Sequence, residues 1–103
     1  MIRGNVQVWL ATQPVDMRKS FDRLAEHVRA FLGHDPLSGS LFVFRSRSAQ
    51  RIKILFFDAG GLSIYYKRLE RGTFQFPATD QKSLAISSAE LMQLLAGCRV
   101  VRP

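Results

Sequence analysis

The chain has 103 residues, 47% of them hydrophobic and 11% aromatic, a length and content that suit one folded domain over 1–103 and exclude a disordered chain. Fifteen Lys and Arg against eight Asp and Glu leave a formal charge of +7. Such an excess favours polyanionic partners, through counterion release and long-range steering.

The N-terminal Met1-Ile2-Arg3-Gly4-Asn5 has no signal-peptide character, and no run approaches the ~18 apolar residues of a membrane span. The expected compartment is the cytoplasm, with no membrane partner. Val6-Gln7-Val8-Trp9-Leu10 predicts a short first strand that ends at Thr12-Gln13-Pro14. A helix follows, because Phe21, Leu24, Ala25, Val28, Phe31 and Leu32 recur at the spacing of one helical face. Asp16 or Ser20 caps its start, and Gly33 is placed to end it with positive φ.

From Leu41 the period shortens. The runs 41–45, 52–58 and 62–68 are rich in Ile, Val, Phe and Tyr and predict three strands. Their connections are short, with Ala59-Gly60-Gly61 suited to a tight turn, so neighbours must run antiparallel. Phe74-Gln75-Phe76 extends the meander as a candidate further strand, held at an edge by Pro77. A last helix opens at Ser87-Ser88-Ala89-Glu90, where Ser87 and Glu90 have capping-box spacing, and Gly97 stops it. The expected fold is α+β: an antiparallel β-meander of about 4–5 strands with two main helices, in the order β-α-β-β-β-(β)-α.

The sharpest chemical feature is a run of cations on this meander: Arg45, Arg47, Arg51, Lys53, Lys67, Arg68 and Arg71. Paired strands would bring them toward one hairpin end as a nucleic-acid-binding surface, since convergent Arg and Lys hold phosphates. The alternative is that they protect a sheet edge and solubilise the meander. Among them lie Phe56, Phe57, Tyr65 and Tyr66. A strand apolar on both faces is normally covered on both, so these aromatics are expected in the core or against a partner rather than stacked on bases.

No catalytic site emerges. Asp16, Asp58, Glu70 and Asp80 are too scattered to hold the divalent ions of phosphoryl transfer. His27 and His34 have no Cys or acid at ligand spacing, so no metal or other cofactor is expected. Cys98 stands alone; it forms no internal disulfide and is expected to be a buried, inert thiol.

Three stretches together resemble one family. They are Val8-Trp9-Leu10-Ala11-Thr12 running on to Asp16-Met17-Arg18-Lys19-Ser20-Phe21-Asp22, then Asp35-Pro36 with Ser38-Gly39 and Leu41-Phe42-Val43-Phe44, and FFDAGGLSIYYKRLERGTFQFP over 56–77. The chain is similar, over nearly its whole length, to the TnpB-type accessory proteins of a multi-gene class of bacterial insertion sequences, which are distinct from the RNA-guided nucleases of the same name. Ser20 stands where that family often has Gly, and Phe76 where it often has Trp. The resemblance implies a helper of transposition acting beside an element-encoded transposase, without an active site of its own. It marks Asp16, Met17, Arg18 and Lys19, and Tyr66, Leu69, Glu70 and Gly72 within 66–72, as motif positions.

Two functional expectations follow. One is a non-enzymatic accessory factor that binds DNA through the basic strands. The other is an interaction module that docks on the transposase, or on a second copy as a homo-oligomer, through an apolar sheet face.

Overall fold

The computed structural model describes residues 5–97. The expectation for Cys98 lies outside the described residues. Five strands and two helices follow in the order β1 (Val8–Ala11), α1 (Phe21–His27), β2 (Leu41–Arg45), β3 (Arg51–Asp58), β4 (Gly61–Arg68), β5 (Ser83–Ile86) and α2 (Ser88–Leu95). α1 runs on without a break into a π-helical turn, Val28–Leu32, which Gly33 ends at φ 74°. The strands form one sheet in the order β4-β3-β2-β1-β5.

This is the expected α+β class, but the sheet departs from the expected meander. β1 pairs with β2 in parallel, so the sheet is mixed rather than a pure meander. The cause is the long connection through α1, which has room to carry the chain back across the sheet before β2 begins. β2, β3 and β4 are antiparallel neighbours as their short connections require. Ala59 and Gly60 both take positive φ, 46° and 82°, between the paired Asp58 and Gly61. That is the two-residue turn whose twist matches a hairpin.

Both faces of the sheet are covered. On one, Leu24, Ala25, Val28 and Leu32 of the first helix pack with Phe42, Phe44 and Leu55. On the other, Leu91, Leu94 and Leu95 of α2 pack with Leu10, Val43, Ile52, Ile54 and Phe74. α2 starts at the predicted capping box: the Ser87 hydroxyl accepts from the Glu90 N–H, and the Glu90 carboxylate accepts from the Ser87 N–H. Two members of the predicted stripe on the first helix behave otherwise, with Phe31 half-buried and Phe21 44% exposed. Phe21 lies at the first residue of the helix, and the π turn advances each residue by a smaller angle, which rotates Phe31 off the buried face.

The expected strand at Phe74-Gln75-Phe76 is not formed. β4 ends in one further pair, where the Leu69 N–H donates to the Gln50 carbonyl, and Gly72 at φ 75° then turns the chain across the open end of the sheet. Phe74 drops into the core as a plug, its N–H bonded to the Ala49 carbonyl, rather than pairing beside β4. The fifth strand forms later and on the opposite edge, where Ser83–Ile86 runs antiparallel to β1. Leu84 and Ile86 supply its alternating apolar positions.

Candidate nucleic-acid interface

The antiparallel register of β3 and β4 decides where the cations go. Arg51 lies directly opposite Arg68, Ile52 opposite Lys67 and Lys53 opposite Tyr66. Arg47 sits in the turn at 46–50 and Arg71 just beyond the Gln50–Leu69 pair, so both join Arg51 and Arg68 at the same end of the sheet. All four are exposed.

Alternation along the strands divides the remaining three. Lys53 shares the face of Leu55, toward α1, whereas Arg45 and Lys67 pair with Ile52 and lie on the α2 side. Lys53 is only 7% exposed. Its Nζ donates to the carbonyls of Met17 (2.6 Å) and Lys19 (2.8 Å) and sits 4.8 Å from the centre of the Tyr66 ring. Lys67 Nζ donates to the carbonyl of Leu95 at the end of α2 (2.8 Å), where a cation complements the helix dipole. Arg45 donates from Nη2 to the Thr12 carbonyl (3.1 Å) and lies over the Phe76 ring. The seven residues therefore do not form one surface. Four crown the hairpin end, and three anchor backbone or packing around it.

Lys53 also joins the two motif segments. Through it the carbonyls of Met17 and Lys19 are tied to Tyr66 of β4. Asp16 and Met17 line one open groove together with Ser46, Arg47 and Ser48, so the first motif abuts the turn that carries Arg47. On the turn's other side, Gln50 donates from its side chain to the Leu69 carbonyl, which fixes the second motif.

The motif charges are partly neutralised among themselves. The Asp16 carboxylate accepts from the Arg18 side chain (2.7 Å) and from the Arg18 N–H (2.9 Å), and these bonds hold its carboxyl well below the usual carboxylate range. Glu70 accepts from Arg68 at 2.8 Å, and that bond likewise lowers its carboxyl. Both pairs are exposed, so each contributes little to stability. Among the described residues, Arg47, Arg51 and Arg71 form no ion pair with any carboxylate. Arg51 donates to the Tyr66 hydroxyl instead (3.2 Å).

The aromatics divide as well. Phe56 and Phe57 are half-buried, but Tyr65 and Tyr66 stand 36% and 48% exposed on opposite faces of β4. Alternating apolarity in the sequence could not separate them, because β4 is an edge strand and only its inner neighbour is covered on both sides. Among the described residues, no three His, Cys, Asp or Glu side chains converge as metal ligands. No helix among them is long and apolar enough to cross a membrane.

A small α+β domain with a basic hairpin end thus carries two motif segments fastened to one another at that end. Its sequence matches the family described as "IS66 Orf2 like protein" over residues 6–103, and the chain belongs to that family. Membership points to an accessory role in transposition. Two relatives come from Sinorhizobium fredii (strain NBRC 101917 / NGR234). The uncharacterized protein y4hO is 45% identical over 93 residues, which cover 90% of this chain and 81% of the relative. The uncharacterized protein y4jC is 36% identical over 92 residues, covering 89% and 79%. No solved structure matches the chain.

Proposed function

We propose that this chain is a non-catalytic accessory factor of transposition that holds a DNA backbone at the hairpin end of its sheet. Arg47, Arg51 and Arg71 contact phosphates there, and the element-encoded transposase, working beside it in the cytoplasm, performs the chemistry. One observation carries this assignment. Three exposed guanidinium groups gather at one end of a paired hairpin, and no carboxylate among the described residues neutralises them. Arg68 stands with them, already bonded to Glu70, and adds a guanidinium only where a phosphate displaces that carboxylate.

Replacing Arg47, Arg51 and Arg71 together with Gln tests the assignment. Loss of three phosphate contacts should lower the log–log salt slope of binding to duplex DNA by roughly two to three. The melting transition should stay near that of the unmodified protein, because exposed substitutions cost at most about 0.5 kcal/mol each. An equal loss on random and element-end DNA would assign the hairpin end to backbone positioning and leave sequence choice to the transposase. Unchanged affinity and slope would overturn the proposal.

A further inference from the structure

The outer edge of β4 carries a second, independent feature. The tight turn at Ala59 and Gly60 makes Asp58 and Gly61 a hydrogen-bonded pair, and alternation along the ladder then fixes every backbone group of the strand. The N–H and C=O of Ser63, Tyr65 and Lys67 point inward to β3, while those of Leu62, Ile64, Tyr66 and Arg68 point away from the sheet. Bonds at the far end agree with this phase: the Leu69 N–H donates to the Gln50 carbonyl, and the Ser46 N–H, on the other side of β3, donates to the Arg51 carbonyl. No described strand pairs with the outward row.

Edge strands of this length are ordinarily blunted by proline, a bulge or an inward charge. β4 carries an inward charge only near its end toward α2, where Lys67 donates to the Leu95 carbonyl. From Gly61 to Tyr66 it has no proline, bulge or charge, its register with β3 is unbroken, and the whole strand is twice as long as the opposite edge, β5. Its two exposed tyrosines lie at the middle of the strand, one on each face.

We propose that β4 pairs antiparallel with β4 of a second copy of this chain, on a two-fold axis at Tyr65, to give one sheet continuous across both copies. In this register Tyr65 faces the partner's Tyr65 as a non-hydrogen-bonded pair, the closely spaced kind in which aromatic side chains meet. Ile64 and Tyr66 exchange backbone bonds with the partner's Tyr66 and Ile64, setting an aromatic beside a β-branched side chain on the α1 face. Charge selects the antiparallel sense. Lys67 and Arg68 occupy one end of β4 and Asp58 neighbours the other, so the cationic end of each copy lies toward the partner's acidic turn. Arg68 falls opposite the partner's Leu62, which holds the two Arg68 residues about 20 Å apart along the strands. Parallel pairing would superpose the cationic ends. The two-fold also fits the usual closed symmetry of self-association.

Cysteine crosslinking reads this register directly. In a Cys98→Ser background, Tyr65→Cys should oxidise to a disulfide-linked dimer, because non-hydrogen-bonded cross-strand pairs meet the Cα spacing a disulfide needs. Ser63→Cys alone should form no disulfide-linked dimer under the same oxidation, whereas Ser63→Cys mixed with Lys67→Cys should link. Tyr65→Lys sets two ammonium groups face to face and should weaken self-association in sedimentation equilibrium by about tenfold or more, with the melting transition unchanged. A monomer at all accessible concentrations would overturn the proposal. So would a dimer that crosslinks equally through Ser63→Cys alone, or one that survives Tyr65→Lys.

Discussion

Lys53 gives the clearest test of how the motif segments are held. It is a nearly buried ammonium whose two hydrogen bonds reach backbone carbonyls rather than a carboxylate, at 2.6 and 2.8 Å. Hydrogen bonds from a charged donor contribute roughly 1.5–3 kcal/mol each in net terms. Lys53→Met keeps the stem's packing but leaves the Met17 and Lys19 carbonyls without their donor and the Tyr66 ring without its cation. Removing a desolvated charge offsets part of that loss. The expected net cost is therefore about 2–4 kcal/mol. Urea unfolding should show a lower midpoint with an unchanged m-value, the sign of lost stability rather than altered compactness. Hydrogen exchange should quicken first in the segment around residues 16–20, which the ammonium ties to the sheet. The salt slope of the proposed DNA binding should not fall, since Nζ already donates to two carbonyls inside the protein. A variant as stable as the unmodified chain would refute the clamp. A reduced salt slope would show that Lys53 contacts phosphate after all.

Two further outcomes follow from packing and titration. Phe74→Ala should cost ~3–5 kcal/mol, because the side chain is fully enclosed by both α2 and the sheet, whereas half-buried Phe31→Ala should cost roughly 1–2 kcal/mol; equal losses in parallel melts would contradict the loop plug. His27 has its imidazole pKa lowered by burial and, secondarily, by the charge of Lys19, and its Nε2 is buried without a hydrogen-bond partner. Its folded pKa lies below its unfolded value, so the unfolded chain takes up the proton first. The stability it contributes is complete above about pH 6.5 and is lost as pH falls through the folded pKa. His27→Phe should flatten thermal stability over that window, and an unchanged pH profile would count against this origin.

Much of the fold was legible because local signals agreed with tertiary ones. The capping box at Ser87 and Glu90, the Gly33 stop and the Ala59-Gly60 turn each express a backbone requirement confined to a few residues, and each forms as expected. What failed depended on distant partners. Phe74-Gln75-Phe76 has strand composition, but its place is decided by the burial of Phe74 among core residues of distant elements and by its bond to the Ala49 carbonyl. Ser83–Ile86 is too short to stand out, and it becomes a strand because β1 offers it an edge. The parallel sense of β1 and β2 likewise follows from how the first helix crosses the sheet, although the length of that connection was visible in advance.

At the candidate site the sequence placed seven cations toward one end of the sheet, where the structure displays four of them as exposed side chains. Arg51 and Lys53 are two residues apart on one strand and project to the same face, so no periodicity distinguishes them. The difference lies two residues inward along the ladder, where the carbonyls of Met17 and Lys19 overhang the sheet and capture the ammonium. Lys67 is withdrawn by the end of α2, which lies 28 residues away in the chain. A cation's worth to a phosphate falls once its donors are used internally, because binding must first break those bonds. The useful count at this end is therefore the number of guanidinium groups left without an internal acceptor of opposite charge. By that measure Arg47, Arg51 and Arg71 are the cations on which the proposed interface rests, and Lys53 holds the first motif against the hairpin that displays them.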